Sequence, residues 1–194
     1  MREVQRKAEG GDGFSPLKVF CGSLCDVFED NPSLMKWRYE LFDMIAKTRP
    51  ELQWLVLTKR PRQARDFFRE SPEQLADNLW LGTSIEDQET LDKRAPMMRD
   101  ILLDNPSCKT FLSVEPLLEF VDLSGWVVMT DWVIVGGESG PNYRPMDPEW
   151  ARAIRDTCNR WSVPFFFKQM AGVRPKTVAI PEDLAVRNFP IELA

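Results

Sequence analysis

A chain of 194 residues with 43% apolar side chains, seven Trp and twelve Phe among them, has enough hydrophobic material for one folded domain and is not a disordered polypeptide. Its net charge of −5 argues against coating nucleic acid by bulk electrostatics, although a local basic patch can still hold phosphates. Histidine is absent, which excludes Ser-His-Asp and Cys-His catalysis, imidazole acid–base chemistry and every His-based zinc site.

In chain order, residues 1–16 (MREVQRKAEGGDGFSP) mix charges with three glycines and carry neither helical nor strand periodicity, so they read as a flexible leader. Residues 17–194 read as a single domain. LKVFCGS is the first strand candidate, followed by LQWLVLT, LWLGTS, KTFLSV, DWVIVGG and VPFFFKQ, all β-branched or aromatic in character. Their nearly continuous hydrophobicity predicts strands covered on both faces. After the first run, Asn31-Pro32 supplies a helix start ahead of Leu34, Trp37, Leu41, Met44 and Ile45 at helical spacing. Further helices are predicted over Pro61–Arg69 and over Asp87–Leu103, the latter broken or kinked by Pro96. The link from Pro116 to Thr130 reads as irregular. Asp147-Pro148 opens a last helix with Trp150, Ile154, Cys158 and Trp161 on one face.

Strand then helix, repeated about six times, means parallel strands with right-handed crossovers. The expected architecture is α/β, a partial TIM-like barrel of about six strands, with an open doubly wound sheet as the competing arrangement. Both place ligands at the carboxyl ends of the strands. Those ends carry Ser23 and Asp26, then Thr58, Lys59 and Arg60, then Thr83, Ser84 and Glu86, then Ser113 and Glu115. The fifth end carries Gly136, Gly137 and Glu138, with Arg144 in the loop beyond, and the sixth carries Lys168 and Gln169. Glu86, Glu115 and Glu138 with Lys59 and Lys168 across from them would form a polar rim able to bind a polar ligand. Structural ion pairs that merely terminate a sheet are the competing explanation. Gly136-Gly137 would let a backbone approach a ligand closely, and a plain turn explains it nearly as well. The FFFKQ run suits a strand buried on both faces better than a stacking surface.

Four cysteines, Cys21, Cys25, Cys108 and Cys158, are too few and too scattered for a disulfide framework, and reduced cytoplasmic thiols are the simplest reading. Cys21-x-x-x-Cys25 raises the question of a cluster motif. An iron–sulfur cluster needs more thiolates than this pair, and the third position of a CxxxCxxC motif is Phe28 here. Free, buried or half-buried thiols are therefore expected, with no metal site.

VFCGSLCDVFED, WLVLTKRP, LWLGTSIE, FLSVEPLL, DWVIVGGESGPNYRPM and IRDTCNRWSVPFFFKQ, in that order, resemble the phage and prophage family called gene product thirty-seven / gene product sixty-eight, whose function is unassigned. The similarity runs from about Leu17 to Pro190. It implies a radical-SAM-like partial barrel, and for the family S-adenosylmethionine and a four-iron cluster held by a three-cysteine motif ahead of the equivalent of VFCGS. That motif is not in this sequence, so no cofactor is expected for the chain, read as a truncated or cluster-less relative. The resemblance carries over onto Lys59, Arg60, Glu86, Glu115, Glu138, Arg144 and Lys168 as rim residues.

The leading expectation is a pocket at the strand ends for a polar small molecule or nucleotide; nucleic acid itself is unsupported by the net charge. Two alternatives stand beside it. One is a non-catalytic assembly module that covers an open barrel edge with a partner chain or a second copy. The other is a magnesium- or manganese-dependent hydrolase built on the three glutamates. No stretch is apolar enough to span a membrane.

Overall fold

Six runs of β-branched and aromatic residues become six strands in the computed structural model, which describes residues 16–22 and 25–190. The expected leader lies outside the described residues except for Pro16, and Ser23 lies outside them as well. The strands are β1 (Leu17–Cys21), β2 (Leu52–Thr58), β3 (Leu79–Ile85), β4 (Lys109–Val114), β5 (Trp132–Gly136) and β6 (Phe165–Gln169). All neighbouring pairs are parallel, and the spatial order is the chain order, β1 to β6. A doubly wound sheet requires the order to reverse at a switch point. With no reversal, right-handed crossovers put every helix on one face, and the sheet curls into the half-barrel of a partial TIM-like fold.

Alternation along the strands divides the core by face. On the outer, helix-covered side Trp54, Val56, Leu79 and Leu81 pack with Phe28, Phe42, Phe67 and Phe68 in one cluster, and Val114, Val133, Val135, Phe165 and Phe167 belong to another. On the inner, concave side Leu55, Trp80, Phe111, Trp132 and Ile134 form a third. The middle residue of the FFF run therefore departs from the expectation: Phe166 packs on the concave side while its two neighbours are buried outside, because successive side chains of a strand point to opposite faces.

The four helices are α1 (Met35–Lys47), α2 (Pro61–Glu70), α3 (Gln88–Asp104) and α4 (Pro148–Arg160). Asn31 caps a short 3-10 turn over Pro32–Leu34, accepting from the Ser33 amide at 3.1 Å, and α1 continues from it. Asp87 and Thr90 form a capping box at the start of α3, and of the two expected effects of Pro96 the break does not occur, since the helix continues through it. Trp161 ends α4 exposed rather than packed, since the turn at its C-terminus carries it off the buried face of Ile154 and Cys158. The irregular link between β4 and β5 holds only the 3-10 turn Val127–Met129, so six strands are served by four α-helices.

The two edges of the sheet differ. Beside β6 the tail runs antiparallel: the Phe167 amide donates to the Val186 carbonyl at 2.8 Å and the Asn188 amide to the Phe165 carbonyl at 3.0 Å. Asp183 fastens that tail to α4 by accepting from Arg152 and Arg155, and those guanidiniums hold its carboxyl well below the usual carboxylate range. The outer edge of β1 has no strand partner among the described residues, and Leu17 and Phe20 are exposed there.

Candidate functional site

The concave face forms a groove of about 900 Å³ whose depth is ordered by chemistry. At the bottom lie aromatic rings. Phe111 sits with its centroid 6.3 Å from Phe20 and 6.2 Å from Trp132, which in turn is 5.9 Å from Phe166 and 5.4 Å from Phe189. Beneath the lining rings Gly82 makes room for Phe111: a Cβ there would stand 2.2 Å from the tip of the buried Phe111 ring, so the ring lies across the bare backbone of β3.

One step toward the carboxyl ends, Ser84 and Ser113 are register partners on β3 and β4, and both line the groove. Ser113 donates to Glu115 at 3.4 Å. The Ser84 hydroxyl makes no hydrogen bond among the described residues and faces the groove. Above them stand two ion pairs. Lys59 is bonded to Glu86, which Arg94 also approaches at 3.5 Å while donating to the Ser84 carbonyl at 2.7 Å. Lys168 donates to Glu115 at 2.6 Å. In both pairs the carboxylate is sheltered, at 17% and 16% side-chain exposure, and the ammonium is outermost, at 57% and 53%.

Asp26 lines the groove too, and its oxygens are already engaged. One accepts from the Phe28 amide at 2.9 Å and the Thr58 hydroxyl at 2.8 Å, and the other accepts from the Lys59 amide at 2.8 Å. The residue ties the loop after β1 to the end of β2 and fixes the backbone that presents Lys59.

The candidate residues thus sort by position. Asp26, Lys59, Ser84, Ser113, Glu115 and Lys168 line one groove, and Glu86 joins them through Lys59. Thr83 is wholly buried and donates to the Thr58 carbonyl at 3.0 Å. Arg60 stands at the N-cap of α2, outside the groove lining. Gly136 faces Glu115, and Gly137 packs against the backbone of Ala171, where a Cβ would be 2.2 Å from the amide nitrogen. These close approaches serve the protein's own chain. Gln169 zips β5 to β6, its amide donating to the Gly137 carbonyl at 3.0 Å. Glu138 sits outside the groove lining, accepting from the Arg144 amide at 2.7 Å and from its guanidinium at 2.9 and 2.6 Å. Those bonds hold its carboxyl down at about 2. The aromatic floor was not anticipated from the strand ends; the i, i+2 spacing of Leu55 with Leu57 and of Trp132 with Ile134 was the signal for it.

Among the described residues no three Cys, Asp or Glu side chains come together as a metal-holding group. The thiols do not fit a four-iron cluster either. Cys21 packs against the outer core, and burial, with the neighbouring Cys25 second, pushes its thiol up. Cys108 and Cys158 are pushed up to about 12 by burial and lie away from the groove. Of the described cysteines only the exposed Cys25 lines the groove, whereas a cluster needs several thiolates around its irons. None of the described helices is long and apolar enough to cross a membrane.

A sequential parallel sheet with a ligand-sized groove at its carboxyl ends defines the chain as a β/α half-barrel protein of the open-groove kind. It belongs to the family described as Protein of unknown function (DUF5131), which matches residues 3–188. No curated protein and no solved structure matches the chain.

Proposed function

We propose that the chain is a phage-type, radical-SAM-like half-barrel protein that binds a polar small molecule at the carboxyl ends of its strands and carries no cluster of its own. The observation that carries this reading is the pair of ammonium groups held over an aromatic floor by sheltered glutamates. Preorganised polar groups converging on an apolar cleft are what ligand sites of this size are made of. The mouth offers an anion two cations, the Lys59 and Lys168 ammoniums, which stand outermost over the sheltered Glu86 and Glu115 on a chain whose net charge is −5. The test is titration calorimetry against a panel of small polar anions, with Trp132 fluorescence as a second readout. Binding that vanishes in Lys168→Ala and Lys59→Ala, with the circular dichroism of the native protein retained, supports the reading. Binding indifferent to both substitutions, or none across the panel, removes it.

One observation favours a second reading, an assembly module. Tyr39 reaches α2 by packing on Phe67 at 5.2 Å and sharing a 2.8 Å hydrogen bond with Ser71. Trp37, Leu41 and Met44 lie on the opposite flank of α1, and Trp37 and Met44 are exposed. That flank and the edge of β1, which has no strand partner among the described residues, are where a further β/α unit or a second copy would continue the barrel. Light scattering after size exclusion decides it: a strictly monomeric protein at high concentration counts against assembly. A dimer lost in Trp37→Glu supports it.

A further inference from the structure

We infer that the groove takes a flat-ringed anion of the nucleoside monophosphate class, ring inward and phosphate at the mouth, an inference that rests on the groove being a small-molecule site. The order of chemistry with depth leads to it. A ligand entering from the carboxyl ends first passes the Lys59 and Lys168 ammoniums, then the Ser84 and Ser113 hydroxyls, and last the rings of Phe20, Trp132 and Phe166. An ammonium outermost on each pair can turn from its glutamate to a phosphate oxygen without leaving a buried charge unpaired, because the glutamates keep other donors: Arg94 for Glu86 and Ser113 for Glu115.

Ser84 adds a polar group inside the groove, below the ammoniums. Its hydroxyl lines the groove between the two pairs and makes no hydrogen bond to the described residues, so it can donate to or accept from a ligand there. The floor then decides the rest of the ligand. Phe20 and Phe189 remain 46% and 39% exposed, although the other rings of the groove floor are largely covered. Phe189 already carries the Lys18 ammonium 4.8 Å over its ring, whereas the exposed Phe20 ring beneath the cationic mouth suits a base, which every nucleotide presents as a π-face, and does not suit a sugar acid or bare phosphate. The groove volume of about 900 Å³ admits such a molecule whole.

Calorimetry on the full chain with adenosine monophosphate, uridine monophosphate, adenosine and inorganic phosphate tests the assignment. The monophosphates are expected to bind at least about tenfold tighter than either fragment. Lys168→Ala and Ser84→Ala are each expected to weaken monophosphate binding by about tenfold. Phe166→Leu should weaken monophosphate and nucleoside alike and leave phosphate unchanged, a pattern a purely structural role would not produce. Monophosphates binding no tighter than phosphate, or affinities unmoved in both Lys168→Ala and Ser84→Ala, overturn the inference. If ring-free anions such as glutamate bind in a Lys168-dependent way and the monophosphates do not, this inference fails and the small-molecule site stands; if neither class binds, both fall.

Discussion

Lys168 and Glu115 are 53 residues apart in the chain and meet at 2.6 Å across the strand between them. They can do so because β5 offers no side chain at that point: a Cβ on Gly136 would lie 3.2 Å from a Glu115 carboxylate oxygen. The glycine at 136 is thus part of the pair. Gly136→Val should force Glu115 off Lys168, cost about 1–3 kcal/mol in urea denaturation, and remove whatever groove binding depends on Lys168. Retained stability and retained binding would show that Glu115 reaches Lys168 by another route.

Asp26 works on the groove through the backbone. Asp26→Ala strips the Phe28 amide, the Thr58 hydroxyl and the Lys59 amide of their acceptor, and about 2 kcal/mol of stability should go with it. Asp26→Asn can keep one oxygen for Phe28 and Thr58 but turns an amide toward the Lys59 N–H. The asparagine variant should therefore melt close to wild type while weakening ligand binding severalfold. Equal losses of stability in both variants would mean that the carboxylate only braces the loop.

The sheet was legible in the sequence because each of its strands is a short run with its own hydrophobic signature, bounded by turn residues. LQWLVLT and LWLGTS became β2 and β3 almost residue for residue. The choice of a barrel over a doubly wound sheet was less legible, since both use the same alternation and differ only in spatial strand order. Strand ends led to the rim, Lys59, Glu115 and Lys168, because polar residues stand out after apolar runs. The floor was hidden for the opposite reason. Phe111, Trp132 and Phe166 look like every other core residue until period-2 alternation assigns them to the concave side. Position alone groups Glu138 with the rim, and nothing local in the sequence signals that Arg144, six residues on, claims it. Whether Pro96 breaks a helix depends on packing that one sequence does not display, and here α3 runs through it.

The four thiols should separate by reactivity. Cys108 and Cys158, pushed up to about 12 by burial, stay protonated at pH 8, and Cys21 is moved the same way by burial and by Cys25. Cys25 is exposed at the mouth of the groove. Labelling the native protein with a disulfide reagent at pH 8 should modify Cys25 first, the half-buried Cys21 and Cys108 more slowly, and Cys158 only on unfolding. Fast release from two or more thiols would contradict this burial pattern. Saturation with a groove ligand should slow the first reaction.

Glu138 gives a pH prediction with a definite sign. Its ordinary value is 4.5, and bonds from Arg144 hold it at about 2 in the folded protein. A carboxyl depressed on folding favours the native state fully above the unfolded value, and that contribution is lost as pH falls through the folded one. The window is therefore about 4.5 down to about 2. Carbon-detected NMR titration should place the Glu138 carboxyl midpoint near the lower figure, and Arg144→Ala should return it toward the ordinary value. A wild-type midpoint near 4.5 would mean that the pair is open in solution.

Gly82 tests whether the floor matters. Its missing side chain admits the Phe111 ring, whose Cζ would be 2.2 Å from an added Cβ, and both residues are register partners on adjacent strands. The tip of a ring can swing, but Phe111 is fully buried between Phe20 and Trp132, so it has little space to enter. Gly82→Ala should cost about 1–3 kcal/mol through overpacking. The double variant Gly82→Ala, Phe111→Leu should recover part of that loss, because removing the ring relieves the clash while leaving a smaller apolar group. Ligand binding should not recover with it, since Phe111 is the ring against which the lining rings of Phe20 and Trp132 pack. Restored stability with restored binding would place the ring of any ligand elsewhere than on this floor.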